Sequence, residues 1–265
     1  MSDTLPVPFQ SPMLDRLSLH VRHGFFGRDG GVSKGAYATL NCGMGQGDEI
    51  EHIQRNRALA CRSIGVDVRR LALPVQVHSA RAVIVDRPFD DGAAPDADAL
   101  VTARPDLALG IVTADCAPIL MCDPHAGANG VCAAVHAGWR GAVSGVIDNA
   151  VAAMVELGAD AGRISAAIGP CLSKASFEVG PELVDAVLDA SPWAEDRFSA
   201  GDGDRSQFDF GDYIAGRLTR LGVGHIEQLG EDTLSQPIRF FSHRYAQQRG
   251  AKATGRNLSV ISLLP

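Results

Sequence analysis

The chain has 265 residues, 46% of them apolar and 21% charged, which is globular usage and excludes extended disorder. Its net charge of −7 lacks the basic excess that a phosphate backbone or an anionic membrane surface requires, so neither a nucleic acid nor a membrane is an expected partner. No apolar run reaches bilayer length and the opening residues carry neither a basic nor an apolar leader, so a cytoplasmic protein is expected.

Residues 1–18 read as an N-terminal extension to one domain spanning residues 1–265. The glycine-rich stretch GGVSKGAYATLNCGMGQGD (30–48) reads as a hairpin followed by a loop, or as a flexible wall over a site. It matches neither GxxxxGK[ST] nor a GxGxxG between strand and helix, so no nucleotide phosphate loop is expected. A helix is predicted over 56–64, strands over 71–77 and 81–86, and an exposed loop over 86–98. Further strands are predicted over 107–112 and 131–135. In 141–157, Val143, Ile147, Val151 and Met154 recur at spacings of four and three, predicting a helix that Gly158 stops. A strand follows over 164–168, then a helix over 181–190 with Pro181 at its first position. A loop over 194–207, a helix over 213–221 and a strand over 258–264 complete the chain. The runs LALGIV, VCAAV and ISAAI are apolar throughout, as strands covered on both faces are. The expected fold is α/β, a single-domain multilayer mixed sheet with flanking helices, with strand order left open.

Three ligand-type residues stand at or just past strand ends: His78 in LPVQVHS, Cys116 in LGIVTADC and His136 in VCAAVHAGWRG. Two imidazoles and a thiolate suit zinc, or a softer copper ion, and three protein ligands leave a fourth position open, as in catalytic sites. The plain alternative is a buried cysteine and two satisfied turn histidines. The six cysteines include no CxxC pair, which argues against finger-type zinc. Asp115 precedes Cys116 and would orient a ligand or move protons, unless it is a turn residue. Arg140, at the entrance of the 141–157 helix, suits an anion, unless it forms a surface ion pair. Trp139 reads as packing.

Taken in order, HGFFGRDGGVSKGAYATLNCGMGQGD, QVHS, DALVT, LGIVTADCAPIL, AAVHAGWRG, AAIGPCLSKASFEVG, RFFSHR and GRNLSVISLL resemble the YfiH/laccase-domain family over residues 20–263. Members were once described as multicopper polyphenol oxidases. FFSHR stands where many members have FFSYR, and Arg244 is retained. The resemblance implies one YfiH-like α/β domain and a mononuclear zinc site on His78, Cys116 and His136. It also implies phosphorolysis of adenosine, inosine and S-methyl-5′-thioadenosine, with adenosine deaminase activity beside it. Oxidation by several coppers does not fit eight histidines with no HxH motif. Together the readings assign Asp115, Cys116 and Arg140 to catalysis and Ser33, Asn41 and Arg244 to substrate binding. Purine nucleosides and phosphate are the expected partners of a monomer. Two other functions remain open: a cysteine amidohydrolase editing peptidoglycan precursors, with Cys116 as nucleophile and His136 or His78 as base, and a zinc-stabilised binding module without catalysis.

Overall fold

The alanine- and valine-rich strands form the middle layer of the structure, a computed structural model that describes residues 5–90 and 92–265. In chain order the elements begin with α1 (Pro12–Asp15), β1 (Val21–Phe25), α2 (Ile50–Ser63), β2 (Leu71–Ala72), β3 (Ala82–Ile84), β4 (Ala99–Thr102) and β5 (Ala108–Thr113). They continue with β6 (Ala117–Asp123), β7 (Val131–Ala137), α3 (Trp139–Ser144), α4 (Val146–Glu156), β8 (Ser165–Ile168), β9 (Glu178–Val179) and α5 (Pro181–Ala190). The last are β10 (Phe198–Ala200), β11 (Ser206–Phe208), α6 (Phe210–Arg220), β12 (His225–Gln228), α7 (His243–Gln248) and β13 (Asn257–Leu263).

A six-stranded mixed sheet runs β12-β8-β6-β7-β4-β3, and a four-stranded one runs β1-β13-β5-β2. Strands β6 and β7 lie at the centre of the larger sheet, antiparallel, and every residue of both is buried. Alternation sends Ile119, Met121, Ala133 and Val135 to one face, where Ile147, Met154 and Tyr213 of the helices cover them. Leu120, Cys122, Cys132 and Ala134 point the other way and meet Leu109, Ile111 and Ile261 of the smaller sheet. The fully apolar strands are thus roofed on both sides. Each fully buried large side chain among them stabilises the fold by about 1.5–3 kcal/mol. A third, three-stranded sheet, β10-β11-β9, flanks the helical face.

Several elements differ from their sequence expectation. The strand expected over 71–77 pairs regularly only at Leu71–Ala72, with an isolated bridge at Val75. Pro74 has no N–H to give, and the Gln76 side chain takes over the pairing. Its Nε2 donates to the Val112 carbonyl and its Oε1 accepts the Val112 N–H, each at 2.8 Å. The helix expected over 141–157 is two helices, because Gly145 adopts φ +102° between α3 and α4. The loop expected over 194–207 is a hairpin of β10 and β11, closed by Phe198 stacked on Phe208 at 4.5 Å. The hairpin expected at the start of 30–48 is a single 3-10 turn at Gly35–Tyr37. Residues 5–18 of the expected extension lie against the domain, with Phe9 bridging Phe25 and Leu14 fully buried. Residues 1–4 lie outside the described residues. No helix among the described residues is long and apolar enough to cross a membrane.

Candidate metal centre

The end of the β6–β7 pair gathers side chains from three parts of the chain. His136 is the penultimate residue of β7 and occupies the face turned towards the smaller sheet. Cys116 ends the tight turn from β5 to β6. His78 ends the segment after β2, where Asp98, the residue before β4, holds the main chain. Ligand atoms of His78, Cys116 and His136 all lie within 4.8 Å of one another, the one such group of three or more metal-ligating side chains among the described residues. Cys116 Sγ is 3.7 Å from His78 Nε2. A tetrahedral ion with ordinary metal–nitrogen and metal–sulfur bonds has an edge of about 3.6 Å. The donor set therefore fits one transition-metal ion, with a further position left for solvent or substrate.

Two features keep the cluster tight. Among the described residues, the non-glycine residues with positive φ are His78 at +59° and Asp115 at +90°, both in the turns that carry the ligands. Such conformations cost about 1–3 kcal/mol each and persist where surrounding structure holds them. Gly138 supplies the second feature. A Cβ there would lie 2.6 Å from His78 Cδ2 and 3.3 Å from Cys116 Sγ, so a side chain at this point of the strand-to-helix turn would displace the His78 ring. Gly141 packs equally closely, since its Cβ would meet the Ser79 carbonyl at 2.9 Å.

The electrostatics favour a thiolate. Burial alone would raise the Cys116 thiol, but the charge and hydrogen bond of His136 and the hydrogen bond of His78 pull it down to about 6. Burial alone would lower His136, yet the Cys116 charge and the Asp98 hydrogen bond raise it to about 9. Burial opposes ionisation of Asp98 too, and bonds from His136 and Ser79 overcome it and hold the carboxyl at about 2.

Of the other residues singled out in the sequence, Asp115 is buried beside the cluster. Its Oδ1 accepts from the Thr233 hydroxyl at 2.7 Å and its Oδ2 from the Arg244 N–H at 2.6 Å. It therefore ties the ligand turn to the start of α7. The Arg244 guanidinium donates to the Glu178 carbonyl at 2.9 Å and lines a cleft of about 420 Å³ with Ser176, Arg205 and Gln248. Arg140 lies inside α3 rather than ahead of it, exposed, with its guanidinium 4.7 Å from the centre of the Trp139 ring. Trp139 itself packs against the core. Ser33 and Asn41 are buried in a network in which both donate to Asp48 Oδ2, at 2.7 and 2.9 Å, and Asn56 bonds Ser33.

The sequence reading passed over Asp98, Gly138 and Arg256. Asp98 opens DALVT and Gly138 sits in HAGWRG, so both lay inside motifs, but neither residue type announces its role. Arg256 hydrogen-bonds the Thr254 and Gly255 carbonyls and Gln46 Oε1, and its backbone N–H donates to Asn41 Oδ1 at 2.9 Å. Burial lowers its pKa, opposed by the charges of Cys116 and Asp115.

Comparison with known proteins extends over most of the chain. The family model described as multi-copper polyphenol oxidoreductase laccase matches residues 22–264. The chain is 42% identical over 200 residues to a purine nucleoside phosphorylase of Streptomyces coelicolor, covering 76% of this chain and 80% of that one. It is 40% identical over 245 residues to a purine nucleoside phosphorylase of Mycobacterium bovis, covering 92% and 93%. The crystal structure of YlmD from Geobacillus stearothermophilus superposes with a TM-score of 0.88 at 26% identity, covering 100% of this chain and 98% of that one.

Proposed function

The chain belongs to the multi-copper polyphenol oxidoreductase laccase family, the YfiH/laccase-domain family of its motifs, and on that premise we propose that it is a zinc-dependent purine nucleoside phosphorylase. The observation that carries the reading is the single His78–Cys116–His136 cluster, open on one side, in a chain about 40% identical to enzymes named for that activity. Its substrates are adenosine, inosine and S-methyl-5′-thioadenosine, with adenosine deamination as a second activity. Two imidazoles and one thiolate favour zinc, copper being the softer alternative. Among the described residues one such cluster is found, where a multicopper oxidase needs several centres. A bound ion supplies Lewis acidity at the open position.

The remaining work falls to side chains. In phosphorolysis an oxygen of hydrogen phosphate bonds C1′ of the ribose, the C1′–N9 bond breaks, and the leaving base takes the proton that the phosphate gives up. The arginines hold the phosphate. Arg244 lines its cleft with a guanidinium, and Arg140, exposed on the helix that follows β7, offers a planar fork. Asp115 keeps the Cys116 turn and the Arg244 main chain in register, and its carboxylate is the proton acceptor in deamination. Ser33 and Asn41 contribute by shaping the glycine-rich wall, Asn41 also by accepting from the Arg256 N–H, rather than through free side chains. The enzyme works as a monomer, and its free cysteines suit a reducing cytoplasm.

The test is phosphate dependence. Purified protein should release adenine and ribose 1-phosphate from adenosine only when phosphate is present. Lack of base release from adenosine, inosine and methylthioadenosine alike would remove the phosphorylase reading.

A second reading draws on the thiol itself. Cys116 within 3.7 Å of one imidazole and hydrogen-bonded to another has the arrangement of an amidohydrolase nucleophile with its base. An alkylating reagent separates the two. Labelling of Cys116 only after chelation favours the ligand, and labelling of metal-replete protein favours the nucleophile.

A further inference from the structure

Asp98 is wholly buried, and its carboxylate touches both histidines of the centre. Oδ1 accepts from His136 Nδ1 at 2.7 Å and from the His78 N–H at 3.0 Å. Oδ2 accepts from the Ser79 N–H at 2.6 Å, the Ser79 hydroxyl at 2.8 Å and the Val77 N–H at 3.3 Å. One acid thus holds the ring of one ligand and the main chain of the other. The first contact orients the ring. With Nδ1–H committed to the carboxylate, the nitrogen that must give up its proton to bind an ion is Nε2, on the side of Cys116 and His78. The second set holds three successive N–H groups around His78 and so sustains its left-handed backbone, which a non-glycine residue adopts only under constraint. From the far side, Asn149 Nδ2 donates to the Ala80 carbonyl at 2.8 Å and closes the same turn.

We propose that Asp98 is the positioning residue of the centre, assembling both histidine ligands before the ion arrives. The proposal rests on the reading of His78, Cys116 and His136 as metal ligands. It makes a sharp demand on chemistry, because every group facing the carboxylate is a donor. An isosteric amide cannot satisfy them. If the amide oxygen of Asp98→Asn faces His136 and the His78 N–H, its NH₂ meets the Val77 and Ser79 N–H groups. If it is turned round, the NH₂ meets His136 Nδ1, which must then accept, and the ring proton moves to Nε2 where the ion should bind.

The experiment titrates zinc against a chromophoric chelator with the unaltered protein and with Asp98→Asn, and records the visible spectrum of each with cobalt in place of zinc. The variant should keep its circular dichroism, bind zinc about 10- to 100-fold more weakly, and give a cobalt spectrum altered by a lost or displaced nitrogen ligand. A carboxylate with a merely structural role would leave the spectrum unchanged. Zinc affinity within threefold of the unaltered protein, with the same cobalt spectrum, would overturn the proposal and leave the metal reading standing. Failure of the unaltered protein to bind either metal would overturn both. Should the variant not fold, amide exchange in the metal-free unaltered protein decides. Protected Val77, His78 and Ser79 N–H groups support preassembly, and free exchange there overturns it.

Discussion

At one end of the β6–β7 pair Cys122 stands opposite Cys132, and at the other Cys116 and His136 flank the turn that opens the site. The same side-chain type behaves in opposite ways at the two ends. Burial between the two sheets pushes Cys122 up to about 12 and raises Cys132 well above an ordinary thiol. Burial acts on Cys116 as well, yet two imidazoles within hydrogen-bond reach reverse the outcome. Desolvation sets the default for a thiol, and only specific neighbours overrule it. The inner end is packing, and the outer end is chemistry.

The largest test of this contrast is Cys116→Ala. It should take the metal content from near one ion per chain to near none, with affinity falling about a hundredfold or more, because little ligand redundancy remains. Cys122→Ala should leave the metal in place and cost about 1 kcal/mol of stability through a small cavity. Elemental analysis of both variants checks the pair, and unchanged metal in the first would cancel the ligand assignment. A smaller effect is expected from Gly138→Ala. Its new methyl group must push the His78 ring aside, so chelator competition should show metal affinity reduced about tenfold with the fold retained.

Next comes Arg140→Lys, which keeps the charge and loses the planar fork. Phosphorolysis should fall about tenfold, equivalent to about 1.4 kcal/mol, while zinc content holds and deamination, which uses water, suffers less. Equal loss of both activities would mean that Arg140 holds the nucleoside or the fold, and loss of neither would return it to a solvated stack on Trp139. The same assay on Arg244→Lys compares the cleft arginine with the exposed one.

The mildest effects concern pH in metal-free protein. Alkylation of Cys116 should rise as pH passes about 6, while Cys122 stays unreactive to well above 9. Stability follows with opposite signs. The depressed thiol contributes fully above its free value of 9.0 and loses that contribution as pH falls through about 6. The raised imidazole of His136 contributes fully below its free value of 6.5 and loses that contribution as pH rises through about 9. The metal-free midpoint temperature should therefore be broadest in its plateau between those limits. A thiol reacting only above pH 8 would erase the difference between the two ends.

How much of this was legible in the sequence varies by residue. The three candidate ligands stand out because each follows an apolar run, and the run lengths that mark strands also mark where strands stop. Asp98 was not legible, since its partners are main-chain N–H groups about twenty residues earlier, and a lone aspartate opening a strand resembles a turn residue. Strand β6 is absent from the expected strands, and Pro118 is an unusual residue for a central strand. The structure accommodates it near the strand start, opposite His136, with its carbonyl accepting the Gly169 N–H at 2.8 Å. The break at Gly145 was hidden by apolar spacing that continues across it, because α3 and α4 bury the same side. Ser33 and Asn41 looked like substrate contacts because glycine-rich polar loops commonly carry them. Their side chains are instead taken up by Asp48, Asn56 and Arg256, partners that no local pattern reveals.

Strand β13 lies between β1 and β5 although it is the last strand in chain order. Residues 257–263 pair on one side with residues 21–25 and on the other with residues 108–113. The smaller sheet therefore has no centre until the final strand is available, while every strand of the larger sheet, with all three ligands, precedes residue 229. In synthesis the layer that carries His78, Cys116 and His136 precedes the strand that completes the sheet against it. Such long-range closure is slow relative to local pairing. The rate at which the fold completes should thus be set by the arrival of one strand.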